Sequence, residues 1–133
     1  MSELFIEAKT ENLCRILDFV SENLEAADCS VKTQTQIAIA VEEIFVNIAH
    51  YAYNPETGGT TIRVLATDNE IVIEFEDNGK PYNPLEKTDP DITKSMEERE
   101  LGGLGIYMVK NIMDAVEYRH EDNKNILTIR KKL

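Results

Sequence analysis

The stretch EEIFVNIAH (residues 42–50) sets Glu43, Asn47 and His50 at i, i+4 and i+7. At about 100° per residue these side chains fall in one stripe of a helix. Ile37, Val41, Ile44, Phe45 and Ile48 make a separate stripe on the far side. Such a helix buries its apolar face and presents a carboxylate, a carboxamide and an imidazole on another. Taken alone, the polar stripe is also what a solvated helix face looks like. Its surroundings in the chain decide between the two.

Working outward, Ser30 is placed to cap this helix, which is expected to run to about Tyr53, where Asn54, Pro55 and Gly58–Gly59 end it. Upstream, Leu4, Ile6 and Ala8 alternate with polar residues and predict a short first strand. Thr10 is expected to cap a helix with Leu13, Ile16, Leu17, Val20 and Leu24 on one face, broken near Ala27–Ser30. Downstream, Ile62, Val64 and Ala66 alternate, as do Ile71, Ile73 and Phe75, with Asp68–Asn69 between them. That pattern predicts an antiparallel hairpin. Residues 78–103 carry Pro81, Pro84 and Pro90 and no sustained apolar period. A connection this long inside a compact domain is often a functional lid. A third helix begins near Leu104, packing with Met108, Val109, Ile112 and Met113. Strands around VEYRH and NILTIRK, with a turn at Glu121–Asn125, close the chain.

The order β-α-α-β-β-lid-α-β-β predicts an α+β layer, an antiparallel-rich sheet with helices gathered on one face. The other face of the sheet is left to water or a partner. The length of 133 residues fits a single domain over 1–133, able to bury roughly two-thirds of the surface its unfolded chain exposes. Hydrophobic residues at 42% and charged residues at 29% are ordinary for a globular protein. A net charge of −11 argues against nucleic acid and an anionic membrane surface, and it suits a basic partner. Cys14 and Cys29 have no metal-ligand spacing, and both are expected on helices as small, largely buried thiols. The opening MSELFIEAKTENL lacks a signal-peptide pattern, and no apolar run approaches the roughly 20 residues of a membrane span. A cytoplasmic protein is expected.

Two further clusters complete the chemistry. DNGKPYNP (77–84) ends a strand, and alone it reads as a turn. GGLG (102–105) opens a helix, and alone it only bends the chain; it is neither a Walker A loop nor a Rossmann fingerprint. Together with Glu43 and Asn47 they are the parts of a nucleotide site. Backbone N–H groups at Gly102, Gly103, Leu104 and Gly105, at the positive end of a helix, suit a polyphosphate. Asn47 offers a neutral oxygen to Mg²⁺. Asp77 can accept from the exocyclic amine of a base, and Gly79 lets the backbone approach the ring. Glu43, one turn before Asn47, would point at a hydroxyl or water near the terminal phosphate as general base.

EEIFVNIAHYAY, DNGKPYNP and GGLGIYMVKNIMD, in this order, resemble the GHKL ATPase superfamily with its Bergerat ATP-binding fold. More narrowly, the chain is similar to the small anti-sigma factor serine/threonine kinases. Glu43 and Asn47 match the N box (E-x-x-x-N), and Asp77, Gly79 and Tyr82 the G1 box (D-x-G-x-P-[FY]). Gly103, Leu104 and Gly105 match the G2 box (G-x-G-L), with Gly102 just ahead of it. The likeness runs from about residue 30 to the C-terminus. Tyr82 stands where this subgroup often has Phe.

The resemblance implies a two-layer sandwich with a mixed, antiparallel-rich sheet and an ATP lid over about residues 85–101. It implies ATP and Mg²⁺ as cofactors, Glu43 as catalytic base, and Asn47 as the metal-binding residue. The expected partners are an anti-sigma factor antagonist with a STAS domain and a sigma factor competing with it, and the family implies a homodimer. Arg99, among the lid's cations with Lys87 and Lys94, is either a phosphate contact or a solvent-facing charge. His50 either joins the site's polar network or is structural. Two other readings stand beside the kinase: a non-catalytic ATP/ADP-binding module that gates a partner, and a nucleotide-free interaction domain.

Overall fold

The computed structural model describes residues 1–53, 57–86 and 103–133. Five strands form one sheet: β1 (Ser2–Glu7), β2 (Gly59–Ala66), β3 (Glu70–Asp77), β4 (Ala115–Glu121) and β5 (Lys124–Lys132). Their spatial order is β1-β2-β3-β5-β4. Every described pairing is antiparallel, which narrows the mixed sheet expected to an antiparallel one. Among the described residues three α-helices accompany them: α1 (Leu13–Ala26), α2 (Val31–Asn47) and α3 (Gly103–Ile112).

Period-2 patterning decides what each strand buries. Ile62 and Val64 of β2, Ile71, Ile73 and Phe75 of β3, and Leu127 and Ile129 of β5 are buried. They share one core with Ile16, Val20 and Leu24 of α1, with Ile37, Val41, Ile44 and Phe45 of α2, and with Val109 of α3. The helices therefore gather on one face, and the apolar stripe read from α2 is the one that packs. Ala66, at the end of β2, is exposed instead. The opposite face is polar. Arg63 reaches Glu3 at 2.8 Å, Glu74 at 3.0 Å and Glu76 at 3.4 Å across three strands. Arg130 does the same between Glu117 at 3.3 Å and Glu70 at 3.5 Å.

Local chemistry sets the joints. Ser30 Oγ accepts from the Thr33 N–H at 3.1 Å, capping α2 as its sequence predicts. Thr10 does not cap α1: it opens a 3₁₀ turn, Thr10–Asn12, and the helix starts at Leu13 without a side-chain cap. α1 ends with Asp28 at φ 56°, where Cys29 N–H bonds Leu24 O and Asp28 N–H bonds Glu25 O. The expected cysteine burial is also corrected: Cys14 is exposed on α1, and Cys29 is half-buried in the loop beyond it. The β4–β5 turn puts Asp122 and Asn123 at φ 52° and 62°, the left-handed pair that a two-residue hairpin demands. No described helix is long and apolar enough to cross a membrane.

Candidate active site

α2 does not end as an α-helix. At Ile48 it widens into a π turn, Ile48–Ala52, a departure often found at functional sites. The wider turn advances less than 100° per residue, so His50 no longer follows the stripe of Glu43 and Asn47. It is exposed, with its ring edge-on to Tyr51 at 6.3 Å, and it is not among the residues lining the adjoining pocket. The role foreseen for it at the site finds no support in this placement.

Beside the π turn lies a narrow pocket that opens to solvent. Ile44, Ile48, Ala52, Phe75 and Ile106 give it apolar walls, and Asn47 and Asp77 are also among the residues that line it. Asp77 is there because β3 keeps its alternation to the last residue. Positions 71, 73 and 75 fill the core with apolar side chains, and the next inward position is this carboxylate, 5% exposed. Burial is the main cause that pushes its pKa above the ordinary aspartate value. Hydrogen bonds from Asn125 and the Gly79 N–H pull the other way.

Both of those bonds, at 2.9 Å, fall on Oδ1. Among the described residues none reaches Oδ2, so one strong acceptor remains at an apolar wall. Asn125 is its Cα partner across the β3–β5 ladder and is as deeply buried. Its amide also donates to Lys80 O at 2.8 Å, while its oxygen accepts from the Tyr82 N–H at 3.3 Å and from the Tyr118 hydroxyl. One side chain thus fixes both the carboxylate and the loop after it. Sequence reasoning missed Asn125, treating it as the end of a turn. The available signal was register, since an amide beginning a buried apolar strand must satisfy both its donor and its acceptor somewhere.

Tyr53 was missed as well. Its hydroxyl donates to Gly59 O at 2.7 Å and accepts from the Asn78 N–H at 2.8 Å, tying the end of the π turn to both strands. Gly79 has a packing reason beside the one expected. A Cβ there would overlap the Ala52 carbonyl and stand 2.6 Å from Ala52 Cβ, and the next N–H, Lys80, bonds that carbonyl at 2.9 Å. The glycine lets the loop lie directly on the π turn. The Tyr82 ring lines the pocket and stacks on Tyr51, with centroids 5.1 Å apart.

Glu43 sits one turn before Asn47, half-buried, where burial first and Glu42 second raise its pKa above the usual glutamate value. Its carboxylate lies against the opening turn of α3, so that a Cβ on Gly105 would overlap Oε2. Gly103, Leu104 and Gly105 form that opening turn, and Ile106, the residue after it, lines the pocket. Gly102, Arg99 and nearly all of the expected lid over 85–101 lie outside the described residues; only its first residues, in the 3₁₀ turn Pro84–Glu86, fall within them.

A family model, the histidine kinase-like ATPase domain, matches residues 6–131 of the chain. The chain belongs to this family. Among its relatives is an anti-sigma F factor of Caldanaerobacter subterraneus, 29% identical over 127 residues, which span 96% of this chain and 89% of that one. Another is the serine/threonine-protein kinase BtrW of Bordetella bronchiseptica, 25% identical over 101 residues, 75% of this chain and 71% of that one. The solved structure of the Acinetobacter baumannii histidine kinase AdeS superposes with a TM-score of 0.54 at 14% identity, covering 99% of this chain and 68% of that one. That likeness is one of fold.

The residues present fit what a histidine kinase-like ATPase domain binds. An apolar-walled pocket with the Asp77 carboxylate among its lining residues suits a purine ring carrying an exocyclic amine. Among the described residues no three His, Cys, Asp or Glu side chains cluster as a metal site. A cation held here through Asn47 would need its charge balance from a bound polyphosphate, as Mg²⁺ commonly has.

Proposed function

We propose that the chain is an ATP-dependent protein serine/threonine kinase of the anti-sigma type. Its substrate is a Ser or Thr hydroxyl on a small STAS-domain antagonist protein, and it works by partner switching, with a sigma factor competing for the same kinase. One observation carries this reading. A single helix brings Asn47 to the pocket that Asp77 lines and Glu43 to the first turn of α3, where the reading puts the base and the phosphates. The relatives called anti-sigma F factor and serine/threonine-protein kinase support the choice of reaction and partner class.

In this reading Asp77 Oδ2 accepts from the adenine amine, and Asn125 and the Gly79 N–H hold Oδ1 so that Oδ2 faces the slot. Bound ATP supplies the γ-phosphoryl group, and Mg²⁺ held through Asn47 offsets its charge. Gly103–Gly105 aim backbone N–H groups at the phosphates, where charge stabilisation carries most of such catalysis. Glu43 orients the acceptor hydroxyl and takes its proton. Gly102 and Arg99 are assigned to the phosphates with the lid, and one domain over 1–133, a homodimer and a cytoplasmic setting complete the proposal.

Glu43→Gln is the test. Phosphotransfer to the antagonist should fall by roughly 10²–10⁴ while nucleotide affinity is kept. If partner regulation and phosphotransfer both persist in Glu43→Gln, the assigned base is wrong. If ATP binds and phosphotransfer is absent even in the wild type, the chain is a nucleotide-gated binding module.

A further inference from the structure

Gly105 has no conformational need to be glycine. It lies within α3 and is not among the left-handed positions, so alanine could adopt its backbone. Alanine would also be the better helix former there. What excludes a side chain is Glu43. A Cβ on Gly105 would overlap Oε2, stand 3.0 Å from Cδ and stand 3.6 Å from Cγ, so the whole end of the glutamate is laid along this one α-carbon. The contact joins the middle of α2 to the first turn of α3, two helices packed on each other in the core. On the other side, Ile106 continues from Gly105 into the wall of the pocket.

We propose that Gly105 is a positioning residue for the general base: its missing side chain sets where the Glu43 carboxylate stands relative to the phosphate-binding turn. This deepens the kinase reading and rests on it for its catalytic consequence. The backbone N–H of residue 105 survives any substitution except proline, so loss of the gap should leave nucleotide binding intact. Glu43 Oε2 is the far end of a flexible side chain, so it can swing aside at little cost to the fold. A catalytic carboxylate moved by about an ångström is what chemistry tolerates least.

The test is Gly105→Ala, read in two independent ways. In the nucleotide-free protein, ¹³C NMR titration of the Glu43 side-chain carboxyl should show its midpoint falling toward that of an ordinary glutamate, because the carboxylate leaves its half-buried seat. In the phosphotransfer assay, kcat should drop roughly ten- to a hundredfold. The ATP dissociation constant should stay within about twofold, and Tm should hold or rise, as the helix propensities of glycine and alanine require. An unchanged titration midpoint would overturn the proposal, as would an unchanged kcat. So would a loss of kcat matched by an equal loss of ATP affinity, which would make Gly105 a phosphate-binding residue only. A wild-type protein without phosphotransfer defeats the kinase reading, and the titration then still decides whether Gly105 positions Glu43.

Discussion

At the scale of single residues, two carboxylates hold unlike positions. Asp77 is nearly sealed from water with Oδ1 hydrogen-bonded, whereas Glu43 is half-buried beside a helix start. Burial raises the pKa of both. For Asp77 the sign of the linkage follows directly. The folded protein holds the proton more tightly than the unfolded chain, so stability is lost as pH rises from about 3.8 through the folded value. Asp77→Asn keeps an oxygen for Gly79 and Asn125 but turns the other atom from acceptor to donor. Its Tm should therefore match or exceed the wild type at neutral pH, with the gap closing on acidification. Its ATP affinity should fall by about ten- to 150-fold, the worth of one charge-assisted hydrogen bond. Thermal melts across pH, paired with nucleotide titration, check both halves. Their placement was legible in the sequence because Glu43 falls in the polar stripe of α2 and Asp77 ends the alternation of β3. Asn125 was not legible, since Asp77 and Lys80, to which its amide donates, lie more than 40 positions away in the chain and only strand register brings them together.

At the scale of elements, the π turn is what the sequence concealed. Helical periodicity correctly placed Glu43 and Asn47 in one stripe, because both lie inside α2. It carried His50 into the same stripe only by assuming that the α-helix continued. No residue between Ile48 and Ala52 is a helix breaker. The widening shows itself only through what packs against it: Gly79 lying on Ala52 and the Lys80 N–H bonded to the Ala52 carbonyl. Tyr53 closes this arrangement. Tyr53→Phe strands the Asn78 N–H and the Gly59 carbonyl, and denaturant unfolding should register a loss of about 1–3 kcal/mol. Amide exchange should quicken most over residues 77–82, where the loop would lose its tie to the π turn. Uniform change across the sheet, or none in this loop, would mean that Asn125 alone holds it. Cap chemistry was predicted well where a side chain does the capping, as at Ser30, and poorly at Thr10, where a 3₁₀ turn starts the helix without one.

At the scale of the whole molecule, the element order among the described residues was legible, because β1, β2 and β3 alternate and the helices carry apolar stripes. Antiparallel pairing followed from short connections at both hairpins, while the neighbouring of β3 and β5 did not, since α3 and β4 lie between them in the chain. That crossover is the one that builds the site: it sets Asn125 opposite Asp77 and brings the start of α3 to Glu43. The outer face of the sheet, laced with ion pairs around Arg63 and Arg130, adds little stability by itself and keeps that side wettable. The central claim is that this sandwich exists to hold ATP with Mg²⁺ between α2, β3 and α3. Calorimetric titration of the purified protein with ATP, in Mg²⁺ and then in EDTA, tests it most directly. Saturable one-site binding that weakens sharply in EDTA is expected. Absence of binding in both buffers would contradict the nucleotide site and, with it, the kinase.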